Sequence, residues 1–133
     1  MGIVAFFEIH ASAQSDIERA LKEDRASAVK VLAIIQQIEA DPDLQGRLLD
    51  REYSEECLAF MRWVEQYRQG NDLYRIKGWD PDDSQLIPYR IIYAYYPQQQ
   101  NYVLLGIVPR GEFNYEQSNC YTQRILRDYQ ELL

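Results

Sequence analysis

Four basic residues and one tyrosine in the second half of the chain have the types and spacing for phosphate chemistry. Arg75 and Lys77 are two positions apart in an alternating segment, so on a strand both side chains point to one face. Arg90 interrupts a run of isoleucine, tyrosine and alanine, where an unpaired guanidinium is costly to bury. Arg110 ends a third apolar segment, and Tyr115 follows it closely. If these segments are neighbouring strands, four cations and a phenol meet on one side of a sheet.

Such a cluster suits a phosphodiester, because guanidinium groups bind phosphate oxygens in a fork and tyrosine can stack on a base or transfer a proton. The residues alone leave an alternative open. In that alternative, Arg75, Lys77 and Arg110 are ordinary solvated charges on strands and Arg90 forms a structural ion pair.

The net charge restricts where a nucleic acid can bind. The chain has 133 residues, with 14 Lys and Arg against 21 Asp and Glu, which gives −7 at pH 7. Residues 1–74 have 8 basic and 14 acidic side chains, whereas residues 75–133 have 6 and 7. This balance disfavours binding over the whole surface. An anion site must therefore be a local cluster in the second half.

Other kinds of chemistry have few residues to work with. His10 is the only histidine, which rules out a histidine pair, and we expect it to have a surface or packing role. Cys57 and Cys120 form no CxxC pair and indicate neither a zinc site nor a disulfide framework, so we expect each to be a small buried residue. The phosphate-binding motifs GxxxxGK[ST] and GxGxxG and the esterase motif GxSxG do not occur. We expect no cofactor and no metal.

Hydrophobic periodicity predicts the elements that must position the cluster. Strand patterns occur in four segments: 3–9, 73–79, 88–96 and 102–108. Helical spacing occurs in three: 15–40, which opens with a capping box at Ser15, 54–69, and 121–132. The order predicts a single α+β domain over 1–133, with an N-terminal strand, two long helices, a three-strand antiparallel meander and a C-terminal helix. With no apolar run of membrane-spanning length and no signal-peptide pattern, we expect a soluble cytoplasmic protein without a membrane partner.

Residues 73–117 resemble the RelE/ParE superfamily of bacterial toxin–antitoxin systems, and more closely its RelE-like branch, which cleaves mRNA. The stretches that carry the resemblance are LYRIK at 73–77, YRIIY at 89–93, VLLGIVPR at 103–110, and Tyr115. The N-terminal half is similar only in outline, as a strand followed by two helices. The chain departs from the family in its negative net charge, because these toxins are typically basic.

The resemblance implies a ribosome-dependent endoribonuclease that needs no metal, in which the 2′-hydroxyl attacks the adjacent phosphorus and the 5′-oxygen leaves. Lys77 is the expected base, and neighbouring Arg75 and Arg90 would have to lower its pKa. Arg75 is expected to bind the substrate. Arg90 and Arg110 are expected to stabilise charge on the phosphate, and Arg110 or Tyr115 to assist the leaving oxygen.

The resemblance also implies partners: mRNA, the ribosome and a cognate antitoxin, with DNA contacted only indirectly through the antitoxin complex. A ParE-like inhibitor of DNA gyrase, or a toxin-like interaction module without catalysis, is the alternative within the same fold. The acidic N-terminal half favours a role in protein binding. The presence of all five matching polar positions favours RNA.

Overall fold

The computed structural model describes residues 6–133, which contain five helices and six strands. The helices are α1 (Ala11–Glu23), α2 (Arg25–Glu39), α3 (Pro42–Gln45), α4 (Val64–Arg68) and α5 (Cys120–Glu131). The strands are β1 (Phe7–Ile9), β2 (Glu52–Glu55), β3 (Leu58–Arg62), β4 (Leu73–Gly78), β5 (Tyr89–Tyr96) and β6 (Asn101–Pro109). The fold is therefore of the α+β class, as predicted. None of the helices within 6–133 has both the length and the apolar character needed to cross a bilayer.

The six strands form one mixed sheet in the order β1-β6-β5-β4-β3-β2. β1 runs parallel to β6, and every other neighbouring pair is antiparallel. The predicted meander is present as β4, β5 and β6. It is the middle of a larger sheet, because the β2–β3 hairpin extends it beyond β4, with Phe60 of β3 opposite Ile76.

Each face of the sheet has its own core. Helices α1 and α2 pack on one face, where the buried rings of Tyr74 and Tyr93 stack with centroids 5.2 Å apart. Helix α5 packs on the other face, mainly over β6, through Ile125 and Tyr129. The second face is therefore only partly covered by helix. Leu73 at the start of β4 belongs to the core under α5, whereas Arg75 and Lys77 further along β4 do not.

The predicted second long helix at 54–69 is wrong. This segment forms β2, a turn at residues 56–57, β3 and the short helix α4. Leu58 and Phe60 are both buried, which is the two-residue period of a strand, and Tyr53 packs against Phe60 from β2. Pairing with β4 satisfies the backbone of this segment and outweighs the helical spacing of its apolar residues.

The first predicted helix is also revised. It begins at Ala11 instead of Ser15, because Nδ1 of His10 accepts a hydrogen bond from the Ser12 amide and caps the helix. Asp24 then separates α1 from α2 and caps the second helix. Of the strand predicted at 3–9, residues 3–5 lie outside the described residues and the rest contains β1.

The cysteine predictions are only partly right. Both cysteines are free thiols, in accord with the expectation of no disulfide framework. Cys57 is half-buried in the turn between β2 and β3. Cys120 is exposed as the first residue of α5, so the expectation that it is buried is wrong.

Candidate anion-binding site

The cationic residues of β4 and β5 share one face of the sheet. Tyr74 and Ile76 of β4 point into the core under α1 and α2, so the alternating Arg75 and Lys77 point to the opposite face. Arg90 of β5 lies on that same opposite face, as its register partner Val108 belongs to the core under α5. The alternation read from the sequence thus places these three cations together.

Arg110 reaches the same place from the end of β6. Its backbone amide donates a hydrogen bond to the carbonyl oxygen of Pro88, 3.0 Å away, which holds it beside the start of β5. The loop that follows is anchored by Phe113, which is buried against Trp63 with ring centroids 5.9 Å apart. This anchor brings the next aromatic residue, Tyr115, back over the sheet.

Tyr115 links the arginines of two strands. The guanidinium carbons of Arg75 and Arg90 lie 4.7 Å and 4.6 Å from the centroid of its ring. The ring is held in turn by Trp63 and Phe113, at centroid distances of 5.1 Å and 4.4 Å. Held by these two rings, Tyr115 attracts both guanidinium groups through its electron-rich face. This attraction offsets part of the repulsion between Arg75 and Arg90.

The backbone of Tyr115 has φ of +63°, in the left-handed region that a bulky residue rarely adopts. Strained conformations of this kind persist where the surrounding structure fixes them, and they cluster at functional sites. Here the contacts of the ring fix the conformation.

The cluster has cations without anionic partners. Within 6–133, no carboxylate oxygen lies within 4.0 Å of the charged nitrogens of Arg75, Lys77, Arg90 or Arg110. The only polar contact found for the Arg75 side chain in this part of the chain is with the sulfur of Met61. The alternative in which Arg90 forms a structural ion pair is therefore wrong for the described residues.

Three buried polar atoms of the cluster lack a hydrogen-bond partner among residues 6–133. They are Nε of Arg90, Nη1 of Arg110 and the hydroxyl oxygen of Tyr115. Buried polar groups are nearly always hydrogen-bonded in native proteins, so each such group calls for a specific explanation. Protein atoms cover all three, so a ligand reaches them only if side chains of the cluster move. An anionic ligand with several acceptor oxygens would then satisfy the two arginine donors and accept a hydrogen bond from the phenol.

The electrostatic environment lowers the pKa of two members of the cluster. Burial lowers the pKa of Lys77 first, and the charges of Arg110, Arg75 and Arg90 lower it further. Burial and the charge of Arg90 likewise lower the pKa of Arg110. Both pKa shifts disfavour the protonated, charged forms, as burial first and neighbouring like charges second are expected to do. Lys77 is thus easier to deprotonate than a free lysine.

All five predicted site residues belong to this cluster, since Lys77 is within electrostatic reach of the three arginines and Tyr115 contacts two of them. Sequence reasoning missed the neighbours on β3 and α4. A cleft of about 250 Å³ beside the cluster is lined by Met61, Arg62, Trp63, Val64, Glu65, Arg75 and Tyr115. The signal that could have found these neighbours is the two-residue spacing of Leu58 and Phe60 before Trp63, which is typical of a strand.

Comparisons with models of known protein families, with curated proteins and with solved structures found no match to this chain.

Proposed function

We propose that this chain is a RelE-like endoribonuclease that cuts mRNA on the ribosome and acts as the toxin of a toxin–antitoxin pair. The observation that carries the proposal is the gathering of Arg75, Lys77, Arg90 and Arg110 on one sheet face with no carboxylate partner among residues 6–133. The guanidinium groups of Arg75 and Arg90 lie against the ring of Tyr115. All four residues are half-buried, and cations crowded together without anionic partners repel one another in the free protein. The oxygens of a phosphodiester would supply acceptors and opposite charge.

The proposed reaction uses the side chains of the cluster as acid, base and electrostatic stabilisers. The 2′-oxygen forms a bond to phosphorus while the bond from phosphorus to the 5′-oxygen breaks, which leaves a cyclic 2′,3′-phosphate and a 5′-hydroxyl. Neutral Lys77 takes the proton of the 2′-hydroxyl, and its lowered pKa increases the neutral fraction near pH 7. Arg90 and Arg110 stabilise the charge that develops on the phosphate, and Arg75 binds the phosphate. The Tyr115 hydroxyl gives its proton to the 5′-oxygen.

The ribosome has two parts in this proposal. It orders the mRNA so that the 2′-oxygen, phosphorus and 5′-oxygen are in line, an arrangement that a small cationic cluster supplies poorly. It also brings the phosphate to a molecule whose net charge of −7 opposes contact with free RNA. The proposed antitoxin would cover the same cluster and suppress cleavage in the cell.

The test is brief induced expression in a bacterial host, followed by primer-extension mapping of transcript ends. Wild type is expected to arrest growth and to produce new ends inside translated codons. Arg110→Ala and Lys77→Ala should each reduce cleavage at least about tenfold, on the scale of a lost catalytic group. Arg25→Ala is the matched control, because Arg25 is exposed on α2, on the other side of the sheet.

Circular dichroism of the purified variants shows whether each one is folded. Full cleavage by folded Arg110→Ala and Lys77→Ala would contradict the site assignment. Growth arrest without new transcript ends, together with loss of supercoiling by purified gyrase, would select the gyrase-inhibitor alternative instead. If induction causes no growth arrest and no new transcript ends, the toxin proposal is contradicted.

A further inference from the structure

We propose that the cleft between the β3–α4 junction and Tyr115 binds the nucleobase next to the phosphate held by the cation cluster. The inference rests on the proposed function, because it assumes that the cluster binds RNA phosphate. It adds a base-recognition site to the phosphate site. Only Arg75 and Tyr115 among the predicted site residues line this cleft, and the rest of its lining comes from the end of β3 and the start of α4.

The cleft and the cluster are continuous. Arg75 and Tyr115 line the cleft and belong to the cluster, so both sites share one wall. A nucleotide with its phosphate on Arg75 and Arg90 has its attached sugar and base within a few bonds of that wall. The neighbouring open cleft of about 250 Å³ is therefore within reach of the base.

The lining favours a flat aromatic ligand. Tyr115, Met61 and Val64 are half-buried and give the cleft apolar surface, while Trp63, which is 6% exposed, packs nearly perpendicular to Tyr115 at the base of the cleft. Aromatic side chains stack on bases in single-stranded nucleic acids, and such stacking is worth about tenfold or more in affinity per base. The cleft can thus contribute binding that the phosphate contacts alone do not provide.

Glu65 supplies a polar group that can discriminate between bases. It is exposed in the first turn of α4 and lines the cleft. A carboxylate accepts hydrogen bonds and donates none, so it pairs with the exocyclic amino group of cytosine or adenine and has no counterpart on uracil at that position. We therefore expect bases with an exocyclic amino group to bind more tightly than uracil.

The experiment uses a protein with one tryptophan as the reporter. The chain has two tryptophans, and Trp79→Phe leaves Trp63, which lines the cleft, as the only one. Its fluorescence is followed during titration with cytidine 3′-monophosphate, uridine 3′-monophosphate, ribose 5-phosphate and inorganic phosphate. We expect the cytidine nucleotide to bind at least about tenfold more tightly than ribose 5-phosphate.

Three further variants are made in the Trp79→Phe protein. Val64→Phe fills the cleft and should remove the advantage of nucleotide over ribose 5-phosphate. Val29→Phe makes the same change at a valine that is 49% exposed on α2, and it should leave that advantage intact. Glu65→Gln, whose amide also donates hydrogen bonds, should reduce the preference for cytosine over uracil by about threefold or more.

The possible results separate the two proposals. Equal affinity for nucleotide and ribose 5-phosphate would overturn the base site and leave the phosphate site standing. Failure of every ligand, inorganic phosphate included, to bind would instead contradict the phosphate site on which the proposed function rests. An unchanged preference in folded Glu65→Gln would remove the role of Glu65.

Discussion

The guanidinium carbon of Arg90 lies 4.6 Å from the centre of the Tyr115 ring, although the two residues come from a strand and from a distant loop. A second guanidinium, that of Arg75, lies at nearly the same distance from this ring. Tyr115 thus has two separable parts. Its ring holds two cations near each other, and its buried hydroxyl oxygen lacks a partner among residues 6–133.

These two parts predict different results for two substitutions. Tyr115→Phe keeps the ring and removes the hydroxyl, so we expect the cleavage rate on ribosomes to fall about 100-fold, as for loss of a general acid. Its affinity for inorganic phosphate should stay within about threefold of wild type, because the ring contacts to the arginines remain. Tyr115→Ala should lose both rate and affinity. The measurements are single-turnover cleavage and calorimetric titration with phosphate.

Equal cleavage by Tyr115→Phe and wild type would contradict the role of the hydroxyl as proton donor. Tight phosphate binding by Tyr115→Ala would contradict the role of the ring. Thermal unfolding of both variants checks that the fold is intact.

The burial of Lys77 and the arginines around it predict how stability depends on pH. The pKa of Lys77 in the folded protein is below its ordinary value of 10.5. At pH values between these two pKa values, the unfolded chain binds more protons than the folded one. The Lys77 contribution to stability therefore rises with pH from the folded pKa up to the unfolded pKa. Lys77→Met should unfold at a higher temperature than wild type near neutral pH, and the difference should shrink as the pH approaches 10.5.

Thermal unfolding of wild type and Lys77→Met at several pH values measures this effect. Lys22→Met is the control, because Lys22 is exposed on α1 away from the cluster. A stability difference that stays constant over the alkaline range would mean that the cluster does not destabilise the charged form of Lys77.

Much of the sheet that carries the cluster could be predicted from sequence. β4, β5 and β6 combine β-branched and aromatic residues with polar turns between them, and their predicted ends agree with the observed ones to one residue. The two-residue spacing of Arg75 and Lys77 was enough to put both on one face. Local pattern decides these strands because each is buried on at least one face along most of its length.

The segment 54–69 could not be assigned in the same way. Leu58, Met61 and Val64 have helical spacing, whereas Leu58 and Phe60 have strand spacing, and both patterns are short. Pairing with β4 decides between them, and that contact depends on residues far along the chain. The cleft was missed for this reason. Tyr115 was expected in the cluster, but its contacts with the two arginines could not be predicted, because they depend on a left-handed backbone and on the anchoring of Phe113.

The number of cations in the cluster predicts the salt dependence of RNA binding. Each phosphate neutralised on a single strand contributes about −0.7 to the slope of log K against log salt, so four cations allow a slope of at most about −3. Arg75→Ala should reduce its magnitude by about 0.7. Arg25→Ala removes the same charge on the opposite side of the sheet and should leave the slope unchanged.

Fluorescence anisotropy of a labelled single-stranded RNA, titrated at several salt concentrations, gives these slopes. A slope that is far steeper, or one that Arg25→Ala lowers as much as Arg75→Ala does, would place the RNA on a broader basic surface than the cluster.

The buried ion pair of Asp16 and Arg124 predicts a substitution that should lower the stability of the fold without changing the cation cluster. The carboxylate of Asp16 on α1 accepts hydrogen bonds from both terminal nitrogens of Arg124 on α5, at 2.9 Å and 2.7 Å, and from the amide of Ile107 on β6 at 3.0 Å. Asp16 is almost completely buried, and it joins elements from both sides of the sheet. Its loss would leave Arg124 with only the more distant carboxylate of Asp128, whose Oδ2 lies 3.9 Å from Nε of Arg124.

Asp16→Asn should therefore lower the free energy of unfolding by about 3 kcal/mol, the scale expected when one partner of a buried ion pair is removed. Urea denaturation measures the change, and Glu18→Gln, on the exposed side of the same helix, is the control, with an expected effect within about 0.5 kcal/mol. Because Asp16 does not contact the cluster, cleavage per folded molecule should be unchanged in Asp16→Asn. If its stability equals that of Glu18→Gln, the network does not hold the two faces of the sheet together.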